Sequence, residues 1–570
     1  MARGRYPCIG STIAFKRCEF ERQCVDLRAG LGFSPVPATS QRDILKQASH
    51  QSKTAQRQPA NSSPKPLIVM KFGGTSVGDA SCIERVIEIV HTASRENHVV
   101  VVVSAMSGVT NRLLEAAEHA QNGNRAAVAA ILEELCSQHL AAAGGLIHSA
   151  WQRDRIEEMI QDIFHEGDHF CQDAIHLRRL TLQARDSISG LGERLSAPLV
   201  ASAIAERGLA AEPIYATDLV VTNSYHGAAD PRMDLTRLRC QARLNPLLHQ
   251  TIVPVITGFI GATTEGVLTT LGRGGSDYSA TILGSALDAD EVIIWTDVNG
   301  VLTADPRLVS DSSTIRELSY REATELAYFG AKVLHPKTLR PVMQSNIPVW
   351  IRNTFAPDRQ GTKITPAGSR KEGEVKALAA ISDVALITVS GPSIVGTRDV
   401  QSRIFKTASA VRAEIMLISQ SPSQADVCFV VPYVVHKCTV EALRQEFAQD
   451  LADGNVEHIR FDTTIAIVAV VGEGMRSTPG IIGRTRGALD RENINIMALA
   501  QGASGCGITV VVAQEDIRRA LATVHQEFRL DLVNPGGLST GGANAAASIP
   551  DSLQSPLPAP EGKHTGNGLG

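Results

Sequence analysis

The sequence predicts an α/β protein in which helices cover both faces of a mainly parallel sheet, followed by two smaller α+β domains. Two observations support this prediction. Apolar runs alternate with helical patterns between residues 65 and 370, and two later segments, starting at Val384 and Ile465, align without a gap. Strands that are apolar on consecutive positions are typical of sheets buried on both faces. Repetition of strand, glycine turn and helix predicts the αβα sandwich.

The elements of the first domain follow from these patterns in chain order. A first strand begins at Leu67, in the stretch LIVMKFGGTSVGD. The further predicted strands are Val99–Met106, Ile252–Ile260, Val267–Leu271, Val292–Val298 and Ile347–Asn353. The predicted helices are Ser81–His91, Asn111–Ala120, Arg194–Arg207, Tyr278–Leu287 and Glu317–Phe329. Because ligands of such sheets bind at the carboxyl ends of the strands, we expect the functional residues directly after each strand.

Length, composition and charge limit the class of protein. A chain of 570 residues is long for one domain, and 43% hydrophobic with 20% charged residues is ordinary for a globular protein. The net charge of −4 gives no indication of nucleic acid or an anionic membrane as partner. No apolar run approaches the roughly 18 residues of a membrane helix. The 10 scattered cysteines form no CxxC pair, which argues against a disulfide framework or a metal site.

The two ends of the chain differ from its middle. Residues 1–64 are basic, and three alternatives stay open for them: a disordered arm, an organelle transit peptide, or a start assigned too early, with Met70 as a later start. A transit peptide would place the protein in the plastid stroma, whereas a bacterial chain would be cytoplasmic. Acidic residues such as Glu19 and Asp43 fit a transit peptide only in part. The Gly-, Ala-, Ser- and Pro-rich residues 534–570 predict a disordered tail.

The end of the first strand carries residues that a buried strand does not need. Lys71 is followed by Gly73 and Gly74, and glycine weakens a strand. A cation, bare backbone amides and hydroxyl groups together suit an anion, with phosphate as the leading candidate. The alternative is a solvated strand end.

Similar groups follow the next strands. Thr110 comes after the second strand, and the stretch TLGRGGSDYSA places Arg273, Ser276 and Asp277 at the start of a helix. Ser276 or Asp277 would cap this helix, while the glycines expose amides to an anion at its N-terminus. The alternative is an ordinary glycine turn with a capping residue.

A fourth strand is followed by WTDVNGVLTADPR, which supplies Thr296, Asp297 and Arg307. Its Asn-Gly pair alone would also fit an ordinary hairpin turn. Neither GxxxxGK[ST] nor a GxGxxG after a strand occurs, so no P-loop and no dinucleotide fingerprint is predicted.

Six motifs follow one another along the chain: KFGGTSV, VSAMSGVTN, GLGERLSA, TLGRGGSDYSA, WTDVNGVLTADPR and FGAKVLHPKTL. In this order they resemble the motifs of the aspartokinases, members of the amino-acid kinase family. The resemblance covers Pro66 to Val533 and implies a catalytic domain over residues 65–370 with the amino-acid kinase fold. It also implies transfer of a phosphoryl group from ATP, with Mg²⁺, to L-aspartate. Such chemistry consists mainly of positioning and charge neutralisation.

Roles for single residues on the ATP side follow from this chemistry and from the resemblance. We expect Lys71 to follow the transferring phosphoryl group, and the amides of Gly73 and Gly74 to donate to it. The resemblance assigns the nucleotide loop to Thr296, Asp297 and Arg307, and a second cation to Lys332, next to Val333. We expect the phosphates to supply most of the Mg²⁺ ligands, so we predict no metal site formed entirely by protein side chains.

The amino-acid substrate needs a cation for its α-carboxylate and an acid for its ammonium group. Arg273 offers a planar fork suited to a carboxylate. Glu193 and Asp277 are the acidic candidates, with Thr110 and Ser276 as hydrogen-bonding neighbours. Of these, Asp277 is predicted to be catalytic together with Lys71. The alternative for Glu193 is an ordinary capping or surface carboxylate.

The two aligned segments, 384–431 and 465–512, form an internal repeat within residues 371–533. They resemble tandem ACT regulatory domains, which hold an amino-acid effector and imply a homodimer or homotetramer. Gln420 and Gln501 occupy matching positions in the two repeats, and the resemblance implies that both contact the effector. The alternative is that they are ordinary polar residues at the corner between a strand and a turn. The sequences ISQ and AQG around these glutamines resemble the kinase half of bifunctional aspartokinase–homoserine dehydrogenases more than they resemble lysine-sensitive forms. The resemblance therefore favours threonine over lysine as the effector.

The expected function is therefore that of an aspartate kinase with feedback through the ACT pair, at the first step towards lysine, threonine and methionine. Two alternatives stay open. One is an amino-acid kinase of the same fold that acts on another acid, such as glutamate. The other is a non-catalytic amino-acid sensor built on a degenerate kinase.

Overall fold

The computed structural model describes residues 65–330, 334–369, 374–392, 400–421, 426–475, 477–502 and 505–532. The predictions for residues 1–64 and 534–570 lie outside these ranges. Among the described residues, no helix combines the length and the apolar character needed to cross a membrane.

An eight-stranded sheet forms the centre of the first domain, with strand order β3-β4-β2-β1-β7-β9-β10-β8. Its strands are β1 (Leu67–Phe72), β2 (His98–Val103), β3 (Ala211–Ile214), β4 (Val253–Thr257), β7 (Glu291–Thr296), β8 (Glu317–Ser319), β9 (Val349–Asn353) and β10 (Thr362–Thr365). The strands from β3 to β9 in this order are parallel, and β10 is antiparallel to β9. A separate hairpin joins β5 (Ile260–Ala262) and β6 (Leu268–Thr270). The predicted mainly parallel sheet is confirmed.

Helices cover both faces of this sheet. They are α1 (Ala80–Ser94), α2 (Val109–Gln121), α3 (Arg125–Leu146), α4 (Ala150–Leu177), α5 (Leu182–Ser189), α6 (Leu191–Glu206), α7 (Met233–His249), α8 (Gly275–Leu287), α9 (Tyr320–Tyr328) and α10 (Pro336–Ser345). Side chains alternate along β1: Val69 belongs to one buried apolar cluster, whereas Ile68 and Met70 belong to the other. The apolar runs therefore reflect burial on two faces.

Two details differ from the predicted elements. The expected helix Glu317–Phe329 begins only at Tyr320, because Glu317–Ser319 forms β8 and Ser319 caps the helix in a capping box with Glu322. The expected strand Ile252–Ile260 is divided between β4 and β5 at Phe259, whose φ is 65°. A left-handed residue cannot continue a strand.

Two four-stranded antiparallel sheets follow. The strands are β11 (Ala377–Ile381), β12 (Val384–Ser390), β13 (Leu417–Ser421), β14 (Asp426–Pro432), β15 (His458–Asp462), β16 (Ile465–Val471), β17 (Ala498–Gln501) and β18 (Gly507–Ala513). The helices are α11 (Val400–Ala410), α12 (His436–Glu446), α13 (Ala448–Ala452), α14 (Ile481–Arg491) and α15 (Ile517–Glu527). The first repeat sheet has the order β13-β14-β12-β15, and the second repeat sheet has the order β11-β16-β18-β17.

The second repeat sheet is not built from one continuous segment. Its strand β11 precedes the whole first repeat sheet in the chain, yet β11 pairs with β16 in the same manner as β15 pairs with β12. The first repeat sheet is therefore nested between β11 and the rest of the second. The aligned segments alone, which lack β11 and β15, do not indicate this nesting.

A buried ion pair connects the second repeat sheet to α9. Lys376 Nζ lies 2.8 Å from Glu322 Oε2, and the two side chains are only 4% and 0% exposed. The other oxygen of Glu322 accepts a hydrogen bond from the backbone amide of Glu473, at 2.9 Å. One carboxylate thus binds a lysine before β11 and the turn after β16.

Candidate active site

A cleft of about 840 Å³ opens at the carboxyl edge of the central sheet, where the sequence predicted a site. The cleft is lined by residues from the ends of β1, β2 and β7 and by the loop between β6 and α8. The predicted site residues that line it are Lys71, Gly73, Gly74, Thr110, Glu193, Arg273, Ser276, Asp277, Thr296 and Asp297. Residues distant in the sequence thus share one solvent-accessible space.

Lys71, near the end of the central strand β1, is only 8% exposed. Its Nζ lies 2.6 Å from Asp277 Oδ1. Asp277 Oδ1 has no hydrogen bond of regular geometry among the described residues, so the contact is a direct charge pair. A buried ammonium without a partner is costly, and the contact with Asp277 supplies this partner and holds the lysine inside the cleft.

The first glycine loop is held tightly against its neighbours. The amide of Gly73 donates a hydrogen bond to Trp295 O, at 3.1 Å, which joins the loop to the end of β7. A Cβ added at Gly74 would lie 3.0 Å from Ala105 O. The structure therefore differs from the expectation that the Gly73 amide donates to a phosphate, because the sheet already uses this amide.

Glu193, in the first turn of α6, is almost completely buried, and its Oε2 has no hydrogen-bond partner among the described residues. Burial raises the pKa of Glu193 to about 8, although the amide of Ala105 and the charge of Lys71 act in the opposite direction. An orphaned carboxylate oxygen in a cleft suits a cationic ligand. The alternative of a surface carboxylate is thereby excluded.

The Arg273 loop depends on two glycines in left-handed conformation. Gly272 has φ +82° and Gly274 has φ +68°, which strains any other residue. Gly274 is the N-cap of α8, so Ser276 and Asp277 lie in the first turn and neither caps the helix, contrary to expectation. The side chain of Asp277 is instead paired with Lys71.

The loop after β7 brings only part of its predicted residues to the cleft. Thr296 Oγ1 donates to Asp297 Oδ1 at 3.2 Å, and Asn353 Nδ2 donates to the backbone oxygen of Asp297 at 3.3 Å. Arg307, in contrast, does not line the cleft: its guanidinium binds Asp305 and its side chain is 70% exposed. Lys332 and Val333 lie outside the described residues.

Helix α5 contributes residues that the sequence patterns did not single out. Arg185, Asp186 and Ser189 line the cleft, and Asp186 is only 2% exposed. The only signal in the sequence is the position of RDSIS directly before GLGERLSA. Among the described residues, no group of three or more His, Cys, Asp or Glu side chains is arranged to hold a metal ion.

Gln420 and Gln501 occupy the same register position in the two repeat sheets, opposite Val427 and Ile508. Both side chains are exposed. Gln420 Oε1 accepts a hydrogen bond from Gln401 of α11. The segment SIVGTRD, residues 393–399, whose sequence departs from the turn expected in an ACT domain, lies outside the described residues.

Comparison with known proteins gives matches over most of the chain. Residues 66–353 match the amino acid kinase family, and residues 387–447 and 468–528 match an ACT domain. The bifunctional chloroplastic aspartokinase/homoserine dehydrogenase of Daucus carota is 36% identical over 494 residues, covering 82% of this chain and 52% of that protein. The chain thus spans about half the length of the plant relatives it matches.

Other matches extend over nearly the whole length of the matched protein. The lysine-sensitive aspartokinase 3 of Escherichia coli is 31% identical over 463 residues, covering 81% of this chain and 99% of that protein. The crystal structure of Escherichia coli aspartokinase III with aspartate and ADP superimposes with a TM-score of 0.69 at 28% identity, over 81% of this chain and 99% of the other. The complex of that enzyme with lysine and aspartate gives a TM-score of 0.65 at 29% identity, with the same coverage.

Proposed function

Since the chain belongs to the amino acid kinase family, we propose that it transfers the γ-phosphoryl group of ATP to the side-chain carboxylate of L-aspartate, giving ADP and 4-phospho-L-aspartate. The observation that carries this proposal is the arrangement of Lys71, Arg273 and Glu193 around one cleft. Two cations and a buried acid match a substrate with two carboxylates and one ammonium group. The product would feed lysine, threonine and methionine synthesis.

The acceptor side of the cleft has a group for each charge of aspartate. Arg273 binds the α-carboxylate through its planar fork. Glu193 binds the ammonium group, because its Oε2 has no other partner among the described residues. Thr110 and Ser276 donate or accept hydrogen bonds beside them. The side-chain carboxylate is thereby left to point towards Lys71.

The donor side neutralises the charge of the phosphates. Lys71 follows the transferring phosphoryl group, and Asp277 holds the lysine in place. Thr296 and Asp297 line the nucleotide end of the cleft, and Lys332 adds a second cation from the segment after α9. Mg²⁺ neutralises phosphate oxygens when bound, and we expect the phosphates to supply most of its ligands.

A coupled assay of ADP formation tests this proposal. Aspartate is offered alone and in competition with glutamate, with Mg²⁺ and ATP present. Aspartate-dependent ADP formation supports the proposal, whereas preference for glutamate would indicate another amino-acid kinase. Absence of ATP turnover with every acid would favour the non-catalytic sensor.

Regulation is proposed to act through the two repeat sheets as ACT domains, with Gln420 and Gln501 as effector contacts. Two effectors are candidates: one relative is described as lysine-sensitive, whereas the resemblance of the ISQ and AQG sequences in the two repeats favours threonine. The edge strands β13 and β15 carry the partly exposed Ile418 and Phe461, which supports a homodimer or homotetramer through these domains. Inhibition assays with lysine and with threonine identify the effector. Light scattering measures the oligomeric state.

The location of the protein depends on residues 1–64. The plant relatives are named chloroplastic, which favours a transit peptide as the role of this basic extension. Import of a reporter fused to residues 1–64 into isolated plastids, with release of a shortened reporter, tests it. A reporter that stays outside the plastids would favour a disordered arm or a start assigned too early.

A further inference from the structure

A buried carboxylate outside the predicted set collects four hydrogen bonds at the wall of the cleft. Asp186 Oδ1 accepts from Thr270 Oγ1 at 2.6 Å. Asp186 Oδ2 accepts from the amides of Thr270, at 3.2 Å, and Gly227, at 3.1 Å. His226 Nδ1 lies 2.8 Å from the same Oδ2. Both oxygens of the buried carboxylate therefore have hydrogen-bond partners, and these hydrogen bonds hold two other segments of the chain in place.

The first segment held in this way is the loop 223–230. His226 and Gly227 bind Asp186 directly, and the amide of Ala229 donates to Thr270 O at 2.9 Å. Within the loop, Asn223 Oδ1 accepts from the amide of Asp230, at 3.1 Å. The loop is thus closed on itself and fastened to α5 and to the end of β6.

The second segment carries Arg273. Thr270 is the last residue of β6, and Arg273 follows three positions later, between Gly272 and Gly274. A Cβ added at Gly272 would lie 2.9 Å from Gly227 O, and one at Gly274 would lie 2.9 Å from His335 Cβ. The Arg273 loop is therefore confined on one side by the segment that Asp186 holds.

We propose that Asp186 is a positioning residue for the amino-acid substrate: by fixing Thr270 and the loop 223–230, it sets the place of Arg273. The proposal rests on the proposed function insofar as Arg273 binds the substrate α-carboxylate. Asp186 itself has both oxygens occupied and does not need to touch the substrate. Its effect should therefore fall on the binding of the acid and spare the binding of ATP.

The decisive variant is Asp186→Asn, which keeps the shape but turns one acceptor oxygen into a donor that faces other donors. We expect the KM for aspartate to rise about tenfold or more, while the KM for ATP stays within about twofold. A merely structural role would instead lower the fraction of folded enzyme, and with it kcat, without moving either KM. The matched control is Asp173→Asn, an exposed carboxylate on α4.

A second pair of variants covers the case in which Asp186→Asn fails to fold. Thr270→Val removes the hydroxyl that donates to Asp186, and Thr270→Ser keeps it. We expect Thr270→Val to raise the KM for aspartate and Thr270→Ser to restore the low value. Equal aspartate KM values for Thr270→Val and wild type, or an equal rise in both KM values for Asp186→Asn, would overturn the proposal.

Hydrogen–deuterium exchange separates this proposal from the proposed function, because it needs no turnover. Asp186→Asn should speed amide exchange in residues 223–230 and in residues 271–275 together, relative to wild type and Asp173→Asn. Unchanged exchange in both segments would overturn the positioning role even in an active enzyme. If wild type forms no ADP with aspartate, the proposed function fails, and the exchange result still decides whether Asp186 holds the two segments.

Discussion

Lys71 Nζ and Asp277 Oδ1 lie 2.6 Å apart, which joins the central strand β1 to the first turn of α8. The two side chains are only 10% and 15% exposed. Their contact links the segment proposed to bind phosphate to the helix that follows Arg273. Both halves of the proposed reaction thus meet at one ion pair.

The first prediction concerns this lysine. Lys71→Ala removes the cation proposed to follow the phosphoryl group, so kcat should fall on the order of 10²–10³-fold. Circular dichroism should show an intact fold, and the control Lys65→Ala changes an exposed lysine near the opposite end of β1. Turnover of Lys71→Ala near that of wild type would refute the assignment.

Glu193 gives a pH-dependent prediction for the protein without substrate. Burial raises the pKa of this carboxyl group from 4.5 to about 8, so the folded state keeps a proton that the unfolded state releases. The free energy of unfolding should therefore fall as pH rises from about 4.5 to 8, by on the order of 4 kcal/mol.

Denaturant unfolding across this pH range measures the effect, with Glu193→Gln as the variant that lacks it. Wild type should lose stability relative to Glu193→Gln as pH rises, and the exposed Glu158→Gln should behave as wild type. A constant difference between wild type and Glu193→Gln from pH 5 to 8 would contradict the raised pKa.

The ion pair of Lys376 and Glu322 predicts a large stability effect at the junction of the domains. Lys376→Met leaves a fully buried carboxylate without its cation, which typically costs about 3–5 kcal/mol. The double variant Lys376→Met with Glu322→Gln should recover part of this loss, because the charge is removed. Lys363→Met, which removes a half-exposed partner of Glu291, should cost less than about 1 kcal/mol.

Chemical denaturation of these variants provides the measurement. The expected order of stability is wild type, Lys363→Met, the double variant and then Lys376→Met. If Lys376→Met were as stable as Lys363→Met, the ion pair of Lys376 and Glu322 would not contribute to the stability of the domain junction.

Gln501 tests the proposed effector contact. Gln501→Ala removes an amide at the end of β17, so the effector concentration for half inhibition should rise about tenfold or more. Gln420→Ala provides the same test in the first repeat sheet, and the exposed Gln514→Ala is the control. If threonine and lysine each inhibit Gln501→Ala to the same extent as wild type, Gln501 is not an effector contact.

Much of the fold was predictable because the relevant signals are local. Apolar runs followed by glycine and hydroxyl residues indicated β1, β2 and β7 and the edge at which they end, and the family match confirms the resemblance seen in six motifs. Helices α3 and α4 were not predicted, although they are long. Their fold depends on packing against one another and on α2, which no single motif encodes.

Site residues that belong to a motif could be predicted from the sequence. Contacts between site residues that lie far apart in the sequence could not. Lys71 and Asp277 each belong to a motif, but their ion pair joins positions that only the folded sheet brings together. The role of Asp186 depends on Thr270 and Gly227, which lie in two other segments. Arg307 fits the family pattern, yet the neighbouring Asp305 binds its guanidinium.

The nesting of one repeat sheet within the other restricts how this protein can be dissected. Among the described strands, β11 pairs with β16 alone, and a fragment that stops after Asp462 would retain β11 while losing β16. Such a fragment would present an unpaired apolar edge, a known route to aggregation. Removal of the two ACT domains one at a time from the C-terminus is therefore not a clean experiment, whereas excision of residues 384–462 as a unit leaves every remaining strand with its neighbours.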